Sequence, residues 1–142
     1  IVNAAEPENL GLELFSRIAF NMMISNTDDH LRNHAAFWDG HHLTLTPAYD
    51  LVPGATREGA ESTLTLSYGR SGEKLSNLEE LIGLHHEYGI TSAEARAEVD
   101  RLRAVISDQF DEAADEMRLS SAISSQVQLS FLHETVVRDL RS

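Results

Sequence analysis

The chain of 142 residues contains no cysteine, so disulfides and thiolate chemistry are excluded, and a reducing compartment is compatible with its composition. Lysine is nearly absent: Lys74 is the only one, and the ten arginines are dispersed without a basic run. A formal net charge of −12 argues against binding to nucleic acid through a basic face. Solubility, or attraction to a basic partner, accounts for such acidity. No apolar run approaches the length of a membrane span. No basic segment leads into an apolar one at the N-terminus, so no signal peptide is read, and a cytoplasmic location is expected. The hydrophobic content of 42% is ordinary, and the length suits a single domain, residues 1–142, with a real core.

What is present is concentrated between Asn26 and Asp50. Ala36-Phe37-Trp38 and Leu43-Thr44-Leu45-Thr46 have strand composition, and the Asp39-Gly40 pair between them predicts a tight hairpin turn. A hairpin folds its ends back together, so Asp28 and Asn33 before it should approach Asp50 after it. Two carboxylates and an amide oxygen make a hard, all-oxygen donor set, suited to Mg²⁺ rather than zinc. Phosphoryl transfer uses such a set, with an Asp base, an Asn five residues later, and a second metal-binding Asp beyond a short hairpin. Asp28, Asn33 and Asp50 keep that order and spacing.

On Asn26-Thr27-Asp28-Asp29-His30-Leu31-Arg32-Asn33 and Pro47-Ala48-Tyr49-Asp50-Leu51, the chain resembles the HipA-type serine/threonine kinases of bacterial toxin–antitoxin systems. The resemblance is strongest from about Phe15 to Val52 and weaker over the helical remainder. It implies Asp28 as catalytic base, Asn33 and Asp50 as magnesium ligands that position ATP, and His30 as a donor to the transferred phosphate. It also implies a HipB-like DNA-binding antitoxin and a protein substrate such as an aminoacyl-tRNA synthetase. The departures are clear. No Arg precedes Asp28, and Leu51-Val52 replaces the usual Phe-Gly. The 27 residues before Asp28 hold neither a Gly-rich loop nor a phosphate-pairing Lys. The expected fold is therefore a mainly helical α+β domain like the large, C-terminal lobe of a kinase, with the nucleotide-binding N-terminal lobe lying outside this sequence.

Other readings compete. Asn-Thr-Asp-Asp is also good capping and turn chemistry. A zinc or manganese hydrolase built on His30, His34, His41, His42 and Asp50 is the main enzymatic rival, although no acid stands between His30 and His34 as in a zinc helix. A third reading is a non-catalytic module whose helical surface after Ser76 docks an antitoxin or the other lobe. Asp29 is expected to be exposed, Asn26 and Thr27 to brace the loop, and Tyr49 and Trp38 to pack against it.

Elsewhere the periodicity predicts elements. Glu6-Pro7-Glu8 suits a helix first turn. Leu10, Leu14, Ile18 and Met22, with Phe15 and Ala19 beside them, predict an amphipathic helix to about Ser25 that supports the loop. Leu51–Glu61 should be loop, and Thr63–Ser67 alternates like a short strand. Gly69-Arg70-Ser71-Gly72 looks like a phosphate loop but lacks the following Lys-Ser/Thr, and reads as a surface turn. Helices follow over Ser76–Tyr88, stopped by Gly89, and from a Thr91–Glu94 capping box onward. The stripe of the latter is Val99, Leu102, Ile106, Phe110, Ala113 and Met117, flanked by solvated Asp108, Asp111, Glu112, Asp115 and Glu116. A final helix is expected over about Ser124–Leu140.

Overall fold

The computed structural model describes residues 10–54 and 62–116, together with Arg118, Ser120, Ile123 and Ser125. The lead-in before Leu10, the second half of the 51–61 loop, Met117 and the final helix with His133 lie outside the described residues. The described part is mixed α and β, mainly helical, with one two-stranded antiparallel hairpin. The elements are α1 (Leu10–Met23), a 3-10 turn (Leu31–Asn33), β1 (Ala36–Trp38), β2 (Leu43–Leu45), α2 (Leu78–Gly83), a second 3-10 turn (His85–Tyr88) and α3 (Ser92–Glu116). Among the described residues, no helix is long and apolar enough to cross a membrane.

Helix α1 is the axis of the core. Its apolar stripe buries Phe15, Ile18, Ala19 and Met22 against Leu81 and Ile82 of α2 and Ala95, Val99, Leu102 and Ile106 of α3. Burying one such large side chain contributes about 1.5–3 kcal/mol relative to leaving it in water. Phe15 meets Tyr88 edge-on, with ring centroids 5.5 Å apart and planes at 82°. Gly11 lets α1 approach the second 3-10 turn closely, since a Cβ there would lie 1.8 Å from the Tyr88 carbonyl oxygen. Ser16 Oγ donates to Glu98 at 2.6 Å, a polar tie between α1 and α3.

The capping box forms as expected. Glu94 N donates to Thr91 Oγ1 at 3.2 Å, and Thr91 N donates to Glu94 at 2.7 Å. Among the described residues, full burial on α3 ends at Ile106, before the end of its apolar stripe. Ile106 is buried, Phe110 is half-buried and Ala113 is exposed. Asp108, Glu112, Asp115 and Glu116 are exposed. The Ser76–Tyr88 segment is likewise not one helix. Asn77 caps α2 by accepting from Glu80 N at 3.1 Å, six helical residues follow, and the chain tightens to 3-10 geometry before Gly89 at φ +68°.

Residues 63–67 do not form a strand. Thr63 makes a single bridge to Leu75, and Leu64 N donates to Lys74 O at 2.7 Å. The next two amides turn the other way: Thr65 N donates to Thr27 O at 3.0 Å and Leu66 N to Asp29 O at 2.8 Å. Two consecutive amides turned to the same side break the alternation that a strand needs, so the pairing with Lys74 and Leu75 ends after one bridge. Gly69–Gly72 is a turn, closed by Gly72 N donating to Gly69 O at 3.1 Å.

Candidate functional site

The site begins where α1 ends. Asn26 N donates to Asn21 O at 2.9 Å and Ser25 N to Met22 O at 3.2 Å, with Ser25 in the left-handed region at φ +56°. That pair of bonds is a Schellman stop, with Ser where Gly is usual. It fixes the angle at which the chain leaves the core. The buried Asn26 side chain then locks the exit. Its Nδ2 donates to Asn21 Oδ1 at 3.0 Å and, at the long distance of 3.4 Å, to the Asp50 carbonyl. One amide thus joins the helix, the loop that starts at Thr27 and the segment that follows the hairpin. Gly54 N adds a bond to Ile24 O at 3.0 Å, and a Cβ on Gly54 would lie 2.0 Å from Ser25 O. The bracing expected of Asn26 and Thr27 is present.

The hairpin pairs Ala36 with Leu45, Phe37 with Thr44 and Trp38 with Leu43. Its turn centres on Gly40-His41, one residue later than the Asp39-Gly40 pair suggests. Asp39 Oδ1 accepts from His41 N at 2.8 Å and His42 N at 2.7 Å, and Gly40 adopts φ +100°. Those two amide bonds hold the Asp39 carboxyl below its ordinary range. Arg17 fastens the base of the hairpin to α1 by donating to Thr46 O and to Glu13. Tyr49 donates its hydroxyl to Arg32 O and so ties the two loops, but through this bond rather than by the expected packing, since it is 43% exposed. Trp38 does not pack: it is 62% exposed, because β1 projects from the body of the domain and has solvent on both faces.

A small cleft lies between α1 and the loops. Arg17 and Asn21 of α1, Asp29, Asn33 and His34 of the first loop, and Tyr49 and Asp50 of the second line it. Asn33 and Asp50 are therefore brought to one cleft. Asp50 holds φ +59°, a conformation that Asp tolerates better than most residues. Asp28 and His30 do not line this cleft. Asp28 is exposed, on a backbone fixed on both sides by the bonds from Thr65 and Leu66. His30 is half-buried, its carbonyl accepts from Asn33 N at 2.8 Å, and its Nδ1 has no hydrogen-bond partner.

Asp29 overturns the expectation of exposure: it is 0% exposed. Its backbone is held by Leu66 and its Oδ1 accepts from His34 Nε2 at 2.7 Å, which turns the side chain inward while Asp28 faces water. Of the two neighbouring aspartates, Asp29 is the buried one and Asp28 the exposed one. Asn21 is also buried, and lies three residues after Ile18 on the apolar stripe of α1. A polar residue on a core-facing stripe was the signal available for it.

The donor set fits a hard cation on one side only. Asn33 and Asp50 offer oxygen ligands at one cleft, and a buried Asp29 oxygen, Oδ2, has no hydrogen-bond partner there. Among the described residues, no three His, Cys, Asp or Glu side chains are grouped to hold a metal. The histidine-based hydrolase thus lacks its ligand set, with His34 engaged by Asp29 and His41 and His42 exposed at the turn. His85 is structural, its Nδ1 lying 2.8 Å from Ile90 O.

No curated protein and no solved structure matches the chain significantly. A protein-family model does, that of the HipA-like C-terminal domain, over residues 2–117. The match spans α1, the two loops, the hairpin and the whole of α2 and α3, and the chain belongs to the HipA-like C-terminal domain family.

Proposed function

We propose that this chain is the catalytic-loop-bearing lobe of a HipA-like serine/threonine protein kinase, which transfers the γ-phosphate of ATP to a Ser or Thr hydroxyl. Asp28 orients that hydroxyl and accepts its proton. Asn33 and Asp50 hold Mg²⁺, and His30 donates to the phosphate in transfer. Magnesium, when bound, supplies charge neutralisation on the nucleotide phosphates. The observation that carries the reading is the meeting of Asn33 and Asp50 at one cleft, organised from the end of α1 through Asn26. Family membership and the spacing of Asp28, Asn33 and Asp50 support it.

The lobe works with a nucleotide-binding lobe that supplies the phosphate-contacting Lys and Gly-rich loop, which places it in the large lobe of a kinase-like fold. A HipB-like DNA-binding antitoxin restrains the enzyme in the cytoplasm, and an aminoacyl-tRNA synthetase is its substrate class. Exposed Leu31, Phe37, Trp38, Leu43 and Val52 lie within a few residues of the site in sequence, and favour a partner on that side. This also gives the rival reading, a docking module without catalysis, its specific support; it moves the docking surface from the helices after Ser76 to the hairpin.

The test is phosphoryl transfer from radiolabelled ATP to protein by the chain assembled with its nucleotide-binding lobe. Transfer by the wild type, lost in Asp28→Asn with the fold intact, is the expected result. Transfer undiminished in Asp28→Asn would remove Asp28 as base, and none in the wild type would favour the docking module.

A further inference from the structure

Beside the proposed ligands runs a second arrangement that the transfer chemistry does not itself require. Asp29 follows Asp28 in the chain, and His34 follows Asn33. Their side chains meet at 2.7 Å, with the carboxylate wholly buried and the imidazole 11% exposed. The bond therefore closes residues 29–34 into a ring whose two closing residues are the immediate neighbours of the proposed base and of a proposed metal ligand. Within that ring the backbone is already a 3-10 turn, with Asn33 N on His30 O at 2.8 Å and His34 N on Leu31 O at 3.2 Å. A three-residue 3-10 turn has too few bonds to persist alone in water. It needs an outside clamp.

We propose that Asp29 and His34 are a positioning pair, which holds the 30–33 turn so that Asn33 is presented to the Asp50 cleft while Asp28 is directed outward. This rests on the kinase reading for its catalytic consequence, but not for its structural one. Three features support it beyond the distance. Asp29 is pinned a second time through its carbonyl to Leu66, which anchors the pair to the 63–67 segment. The accepting carboxylate fixes the ring with its proton on Nε2, leaving Nδ1 as the free nitrogen. The other charged side chains lining the same cleft are Arg17 and Asp50; Arg17 is held through Nη2 by Glu13 and Thr46 O, and its Nη1 has no partner. Tyr49, whose hydroxyl donates to Arg32 O, is a second side-chain tie on the same turn.

The experiment compares His34→Leu with His34→Gln, since a glutamine amide nitrogen can stand where Nε2 donates. Amide hydrogen exchange on the full chain reads the turn directly. Exchange at Asn33 and His34 should rise about tenfold or more in His34→Leu, and return close to wild type in His34→Gln. Unchanged protection in His34→Leu overturns the pair as a clamp, whatever the chain's activity. The assembled enzyme gives the second readout. His34→Leu should lower kcat at saturating ATP and Mg²⁺ at least tenfold with KM for the protein substrate unchanged, and His34→Gln should restore it. A kcat unmoved by His34→Leu overturns the catalytic consequence. An inactive wild type refutes the kinase reading and the catalytic consequence together, and leaves the clamp to be decided by exchange.

Discussion

Removing the Asn26 amide should weaken the domain and loosen the Asp50 loop together. In Asn26→Ala two bonds disappear: the 3.0 Å bond to Asn21 Oδ1 and the 3.4 Å bond to Asp50 O. The first matters more. Asn21 is 2% exposed, so its oxygen is left without a partner or water, and an orphaned buried acceptor costs about 1–3 kcal/mol. The second is near the limit of a hydrogen bond and adds about 0.5 kcal/mol at most. A total of about 1–3.5 kcal/mol corresponds, at about 4 °C per kcal/mol for a domain of this size, to a fall in Tm of about 4–14 °C. Circular dichroism melting of the full chain measures it. A double variant, Asn26→Ala with Asn21→Leu, removes the orphan and should cost less than the two single changes added. A fall below about 2 °C, or a large fall with no change in the amide resonances of Tyr49–Leu51, would refute the idea that one amide couples the helix to the second loop.

Four further outcomes follow from the same geometry. Gly54→Ala forces backbone apart at Ser25 O, and should destabilise by about 1–3 kcal/mol in urea unfolding, with Asp50 resonances displaced. Phe15→Ala empties the fully buried slot against Tyr88, and should cost about 3–5 kcal/mol in the same measurement. The Thr91 amide and hydroxyl hold the Glu94 carboxyl below its ordinary range. A depressed folded value means the stabilisation is present above the unfolded pKa and is lost as pH falls through the folded one. Glu94→Gln should therefore flatten the acid limb of stability, and carboxyl NMR titration should place Glu94 below a free Glu. Trp38→Ser should leave Tm within about 1 °C, since the ring touches little, and a larger loss would show that it packs after all.

Helices and hairpin were legible because their signals are local. The stripe of α1, the Thr91–Glu94 box and the strand composition on either side of Asp39-Gly40 each lie within one element. The hairpin turn slipped by one residue because Asp39 prefers to accept amide bonds ahead of the turn rather than sit within it. What was not legible depends on contacts between segments far apart in the chain. Residues 63–67 alternate like a strand, yet their amides reach back to Thr27 and Asp29, a pairing across almost forty residues that no periodicity records. Asp29 failed for the same reason. Its burial is set by Leu66 and His34, not by its neighbour Asp28. At the site, order and spacing suggest Asp28 and Asn33 together with Asp50; Asn33 and Asp50 line the cleft, whereas Asp28 does not, because its outward placement depends on those same distant ties.

The account centres on Asn33 and Asp50 as one divalent-cation site. Substoichiometric Mn²⁺ added to the ¹⁵N-labelled full chain tests it most directly, because paramagnetic broadening falls off steeply with distance. Broadening should be greatest at Asn33, His34, Asp50 and Leu51, and should vanish there in Asp50→Ala. Broadening spread over the exposed acids of α3, with Asn33 and Asp50 untouched, would contradict it.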